Sequence, residues 1–150
     1  AENLNYSTGN SWCYDNDPNN CSTYGRLYDW QTALSACPDG WHLASPDEWN
    51  ILLNHLGGVF VANSMKSTTG WGHHNDGNGT NSSGFSALPG GDRNTSGYFW
   101  GKHLKGQWWT STETHPSRAW TRRMAYDSDN YVGLHHRDKA EGYSCRCLKD

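Results

Sequence analysis

Three oxygen-bearing side chains alternate with glycine along Asp76-Gly77-Asn78-Gly79-Thr80. Hard cations such as calcium need oxygens clustered on a flexible loop, so Asp76, Asn78 and Thr80 are where this chain could hold one. Asp15, Asp17 and Asn19 imitate the first half of an EF-hand loop. There, however, Asn20 replaces the glycine and Arg26 the closing glutamate. Turn chemistry competes at both places, because Asp, Asn and Gly dominate turns for reasons of their own. The reading therefore requires no cofactor, and calcium is the ion it would admit. Two histidine pairs, His73-His74 and His135-His136, invite a zinc reading. Neighbours on a strand point to opposite faces, so His135 and His136 are expected to pack or to face solvent separately.

Five cysteines leave one unpaired. Cys13 and Cys21 bracket a polar turn that a bridge would staple. Cys37 ends a helical pattern, while Cys145 and Cys147 share the last strand-like segment. A bridge from Cys37 to that segment would close a loop of about 110 residues, stabilising the fold by roughly 4–5 kcal/mol. Zinc needs Cys-x₂₋₄-Cys, which Cys-x-Cys does not supply. Disulfides imply an oxidising compartment. Whichever of Cys145 and Cys147 stays free, a buried small hydrophobe is the simplest role for it. No Gly-x-Ser-x-Gly nucleophile elbow occurs.

The elements that must carry these groups are built from rings. Leu, Ile, Val and Phe make up only 18 of the 150 residues, against nine Trp and eight Tyr. So little Ile and Val argues against a parallel α/β sheet, and a net charge of −3 argues against disorder and nucleic-acid binding. The longest apolar run, Val59-Phe60-Val61-Ala62, is too short to span a bilayer. There is no signal-peptide pattern, so any export signal is expected to have been removed or to lie outside this stretch.

Trp30, Ala33, Leu34 and Cys37 fall on one face of a helix that Asp29 caps. A second helix follows Ser45-Pro46, presents Trp49, Leu52, Leu53 and Leu56, and stops at Gly57-Gly58. Residues 63–106 keep neither period and hold ten of the 17 glycines, yet Trp71, Phe85, Leu88, Tyr98, Phe99 and Trp100 anchor them as an ordered long-loop region. Alternation then marks strands at Ala119–Tyr126, Tyr131–His135 and Tyr143–Leu148. The sum is an α+β fold in one domain over residues 1–150, with two helices, a long loop region and a small antiparallel sheet. Trp12, Trp30, Trp41, Trp49, Trp71 and Trp109 are expected in its core. Trp108 and Trp120, with Arg122, Tyr126 and Tyr131, are expected in the rear sheet and its turns, where exposed rings stack on sugars or anchor a protein.

Several blocks follow a family pattern: Ala36-Cys37-Pro38-Asp39-Gly40-Trp41-His42-Leu43, Gly84-Phe85-Ser86-Ala87-Leu88-Pro89-Gly90-Gly91, Trp108-Trp109-Thr110-Ser111-Thr112-Glu113 and Gly142-Tyr143-Ser144-Cys145-Arg146-Cys147-Leu148. Over nearly its whole length the chain resembles the Fibrobacter succinogenes major paralogous domain, a module of exported and surface-attached bacterial proteins. That family usually has an aliphatic residue where Cys145 stands, so the resemblance implies a Cys37–Cys147 bridge. The layout also resembles the C-type-lectin-like fold shared by formylglycine-generating domains, whose long disulfide joins the first helix to the last strand. Neither the lectin calcium motif nor the oxidases' catalytic histidine spacing is present.

The resemblance implies a disulfide-stabilised, secreted or cell-surface module that is not an enzyme. Its ligand surface is expected at Trp108, Glu113, Trp120, Arg122, Asp127, Asp129, Asn130, Tyr131 and His135, and its partner is expected to be a polysaccharide or surface glycan. A protein partner in a surface assembly is the alternative, and a lectin-fold oxidase the third reading. Neither nucleic acid nor membrane insertion is expected.

Overall fold

The computed structural model describes residues 2–127 and 130–150. Four helices stand where two were expected: α1 (Pro18–Tyr24), α2 (Trp30–Ala33), α3 (Pro46–Leu56) and α4 (Ala62–Met65). The α3 start is a full capping box. Ser45 Oγ accepts from the Glu48 N–H, Glu48 returns a carboxylate to the Ser45 N–H, and Pro46 opens the first turn. Helix α1 uses the same logic inside the polar turn. Asp17 accepts the Asn19 N–H at 2.9 Å and Pro18 follows, so the carboxylate of the EF-hand imitation is a helix cap. Helix α2 stops well short of Cys37. The Ser35 N–H reaches back only three residues to the Thr32 carbonyl, and its hydroxyl takes the same oxygen. These tighter contacts end the α-helix.

The strands are β1 (Ser11–Trp12), β2 (Leu27–Tyr28), β3 (Trp41–Leu43), β4 (Gly90–Arg93), β5 (Phe99–Lys102), β6 (Lys105–His115), β7 (Arg118–Ala125), β8 (Gly133–Asp138) and β9 (Cys147–Lys149). They form three antiparallel pairs, β1–β2, β3–β9 and β4–β5, and one antiparallel sheet in the order β6-β7-β8. The expected long-loop region thus contains a hairpin. Its turn is closed by Asn94, whose side-chain oxygen accepts from the Ser96 and Tyr98 N–H groups. The expected last strand begins late. Tyr143 bridges Tyr28 and Ser144 bridges Trp108, and only Cys147–Lys149 pairs with β3.

Two clusters of buried side chains flank β6. One gathers Trp49, Leu53, Met65, Trp71, Trp108 and Met124. The other gathers Tyr28, Trp30, Leu43, Trp109, Ala119, Tyr143 and Cys145. Trp108 and Trp109 are successive residues on one strand, so their indoles leave on opposite faces, one into each cluster. Trp41, expected in the core, is instead 43% exposed, because its short strand lies at the surface against Lys149.

Disulfides join Cys13 to Cys21 and Cys37 to Cys147, leaving Cys145 as the buried free thiol. Burial pushes that thiol's pKa well above its ordinary range, which makes it a packing residue rather than a nucleophile. Beside the second bridge, His42 is held between two carboxylates: Nε2 lies 2.8 Å from Glu48 Oε1 and Nδ1 2.5 Å from Asp150 Oδ1. The Asp150 and Glu48 hydrogen bonds raise the His42 pKa, and the Ser45 backbone bond, followed by His42, lowers that of Glu48.

Two predictions follow from this corner. In urea titrations, C37S/C147S is destabilised by roughly 4–5 kcal/mol, since the bridge restricts a loop of about 110 residues in the unfolded chain. The His42 contribution is complete below that group's ordinary 6.5 and fades as pH rises through its raised folded value. The Glu48 contribution is complete above its ordinary 4.5 and fades in acid. Amide exchange, corrected for intrinsic rates, should therefore show the β3–β9 pair better protected near pH 5.5 than near pH 8.5.

Candidate binding faces of the three-stranded sheet

The β6-β7-β8 sheet presents different chemistry on its two sides, and the register decides what meets what. On β7, Arg118, Trp120, Arg122 and Met124 share one face; opposite them on β8 stand Asp138, His136 and Leu134. Helix α3 covers the inner end of this face, where Trp49 packs against Trp108 with ring centroids 6.1 Å apart. The outer end is open. There Thr114, His115, Ser117, Arg118, Trp120 and His136 line a groove of about 460 Å³. His136 stands edge-on to the Trp120 ring at 5.9 Å and 71°. Arg118 Nη1 lies 3.4 Å from His136 Nδ1, and His115 Nδ1 lies 3.3 Å from Ser117 Oγ. A half-buried indole beside an imidazole and a guanidinium gives an apolar plate with hydrogen-bonding groups at its edge.

The other face carries Thr121, Arg123 and Ala125 on β7, with Gly133, His135 and Arg137 on β8. Arg123, Ala125, Asp127, Tyr131, Gly133 and His135 line a second depression of about 210 Å³. Burial is the main cause holding the His135 pKa below its ordinary value, with Arg123 and Arg137 adding like-charge repulsion.

The expected ligand surface is thus divided. Trp120 lines the first groove, whereas His135, Tyr131 and Asp127 line the second. Trp108 is no ligand residue: it is fully buried and donates its indole N–H to Asn3 Oδ1 at 2.9 Å. Arg122 is only 3% exposed and donates to Asn50 Oδ1 of α3 at 2.5 Å, since the helix lies over that end of the face. Glu113 is committed to Lys139, with Nζ 2.5 Å from Oε2. Asn130 is a brace, donating to the Phe60 carbonyl at 2.6 Å and accepting from the Asn63 N–H. Asp129 lies outside the described residues.

The expected ligand surface left out His136 and Arg118, which line the Trp120 groove. The signal for them was the cross-strand pairing with Trp120 and Asp138, which alternation along one strand does not reveal. The expected surface also left out Arg137, whose partner is Ala119.

Two of the three calcium-pattern side chains make hydrogen bonds in or beside their loop. Asn78 Oδ1 accepts the Trp71 N–H at 3.0 Å, and the Thr80 hydroxyl contacts Asn63 O at 3.4 Å and Ser82 Oγ at 3.2 Å. Its glycines answer to close approach: a Cβ on Gly77 would strike Tyr126, and one on Gly79 would strike Asn63 and Lys66. Among the described residues, no group of three or more His, Cys, Asp or Glu side chains could hold a metal ion. Nor is any helix among them long and apolar enough to cross a membrane.

The family model of the Fibrobacter succinogenes major domain matches residues 1–149, and the chain belongs to this bacterial family. No curated protein and no solved structure matches it.

His135 on this sheet and His42 on β3 should titrate in opposite directions from the ordinary value. In a histidine-selective ¹⁵N spectrum, His135 titrates below its ordinary 6.5, while His42 titrates above it. R137Q, by removing one like charge, moves His135 upward.

Proposed function

We propose that this member of the Fibrobacter succinogenes major domain family is an exported, non-enzymatic carbohydrate-binding module of the bacterial surface. The observation that carries the reading is the Trp120 groove. A ring on a rigid strand, with His136 edge-on and Arg118 beside it, suits a sugar's apolar face and its hydroxyls. Two disulfides fit an oxidising, extracytoplasmic setting. We read the scaffold as C-type-lectin-like, on the strength of the long bridge from the segment after α2 to the last strand and of the sheet that displays its loops. Asp76, Asn78 and Thr80 do not line the groove, so it is expected to work without a cation.

Pull-down on insoluble cellulose and xylan tests the reading, with W120A as the variant. Wild type should bind saturably, and W120A should bind at least about 30-fold more weakly, the effect of losing an aromatic anchor of roughly 2 kcal/mol. Chelator should change neither result. If wild type is not retained on any polysaccharide but self-associates, the alternative of a structural module in a surface assembly takes its place.

A further inference from the structure

On the face of the sheet turned away from Trp120, two guanidiniums have no ion-pair partner among the described residues. Four buried side-chain polar atoms lack a hydrogen-bond partner among the described residues: Gln107 Oε1, Arg122 Nε, Arg123 Nε and Arg137 Nε. Three of them share this face. Gln107 is paired directly with Arg123 across β6 and β7, and Arg137 is paired with Ala119 on the same side of β7. Lys105 and His135 belong to this side as well, opposite Ala125 and Thr121.

Two of the acids nearby are already engaged. Asp92 is ion-paired with Lys105, and Glu141 accepts the Tyr143 hydroxyl at 2.7 Å. Asp127 lines the depression beside Arg123 and also acts on Lys66. None of the four ion pairs among the described residues includes Arg123 or Arg137. Both side chains are half-buried, with Nε out of solvent while part of each remains accessible. Lys105, on whose charge both arginines act, lies with Nζ 4.2 Å from the ring centroid of Trp100, which is 58% exposed.

Two guanidiniums without an ion-pair partner among the described residues, on the side of the sheet that also carries Lys105 and the accessible indole it touches, form half of a recognition site. The missing half is a row of carboxylates on a stackable backbone. Guanidinium forks match planar carboxylates in two-point hydrogen bonding, which a compact ammonium does not. We infer that this face binds an acidic glycan, its uronate carboxylates on Arg123 and Arg137 and a sugar ring on Trp100. The class of ligand rests on the carbohydrate reading above, whereas the location of the site does not.

Affinity electrophoresis in gels containing polygalacturonate, a sulfated glycan or neutral xylan tests this with wild type, R123Q/R137Q and W120A. Polygalacturonate should retard wild type, and more weakly as salt screens the contacts. R123Q/R137Q should lose at least tenfold of that affinity while its retardation by xylan is unchanged. W120A should show the converse. Because the double variant could be compromised in folding, wild type is also titrated with trigalacturonate, and the Arg123 and Arg137 Nε–Hε resonances should shift saturably. The inference is overturned if those resonances stay still, if R123Q/R137Q is retarded by polygalacturonate as strongly as wild type, or if the sulfated polymer is bound in preference. Retardation by xylan without polygalacturonate overturns this site and leaves the Trp120 reading standing. Retardation by none of the three overturns both.

Discussion

Adjacent indoles on β6 tie the fold together. Trp108 and Trp109 leave the strand on opposite sides, fill the centres of the two clusters, and each donates its N–H to a distant part of the chain. Trp108 reaches Asn3 Oδ1 and Trp109 reaches the Tyr28 carbonyl at 2.7 Å. The pattern extends outward: Trp30 donates to the Thr110 carbonyl at 2.8 Å and Trp71 to the Ala87 carbonyl at 3.0 Å. In a chain this poor in aliphatics, one residue type provides both buried area and sequence-distant hydrogen bonds. A buried indole N–H without its acceptor would cost about 1–3 kcal/mol, so each of these contacts fixes orientation as well as proximity. The N-terminal segment is thereby fastened across β6, and Arg146 completes the junction by donating from Nε to the same Asn3 oxygen.

That core determines what the sheet can present. The Trp108 side is closed by α3 as far as Arg122, and the Trp109 side is closed by Tyr28, Trp30 and Tyr143 as far as Ala119. What remains open is the outer end of one face and, on the other, the depression between Arg123 and His135. The two openings differ in chemistry because they belong to alternate residues of the same strands. One offers Trp120 and His136. The other offers Arg123 and His135.

Local signals were legible in the sequence, and long-range register was not. Helix α3 could be read from Ser45-Pro46 and Glu48, because a capping box is complete within four residues. Strand β7 could be read from its alternation. Strand β6 could not: from Lys105 to Thr110 it is buried on both sides, so Trp108-Trp109-Thr110 carries no period of two. Helix α2 was drawn too long because Leu34 and Cys37 keep a helical spacing, although Leu34 is exposed and Cys37 serves the bridge to Cys147. The residues of the expected ligand surface are divided for the same reason. Trp120 and Arg122 do share a face, but only tertiary packing shows that α3 covers the second of them. Only register shows that Trp120 is paired with His136 rather than His135. The cysteine pairing was legible because the family ending singled out Cys145.

The central claim is that carbohydrate meets this domain at Trp120. It is tested most directly by the indole N–H resonances of ¹⁵N-labelled protein titrated with xylan or cellulose oligosaccharides. The nine tryptophans supply their own controls, since Trp30, Trp71, Trp108 and Trp109 are buried and hydrogen-bonded. The account predicts a saturable shift at Trp120, accompanied by His136, with those four indoles unmoved. A shift confined to Trp41, on the far surface strand, or no shift at saturating oligosaccharide, would contradict it.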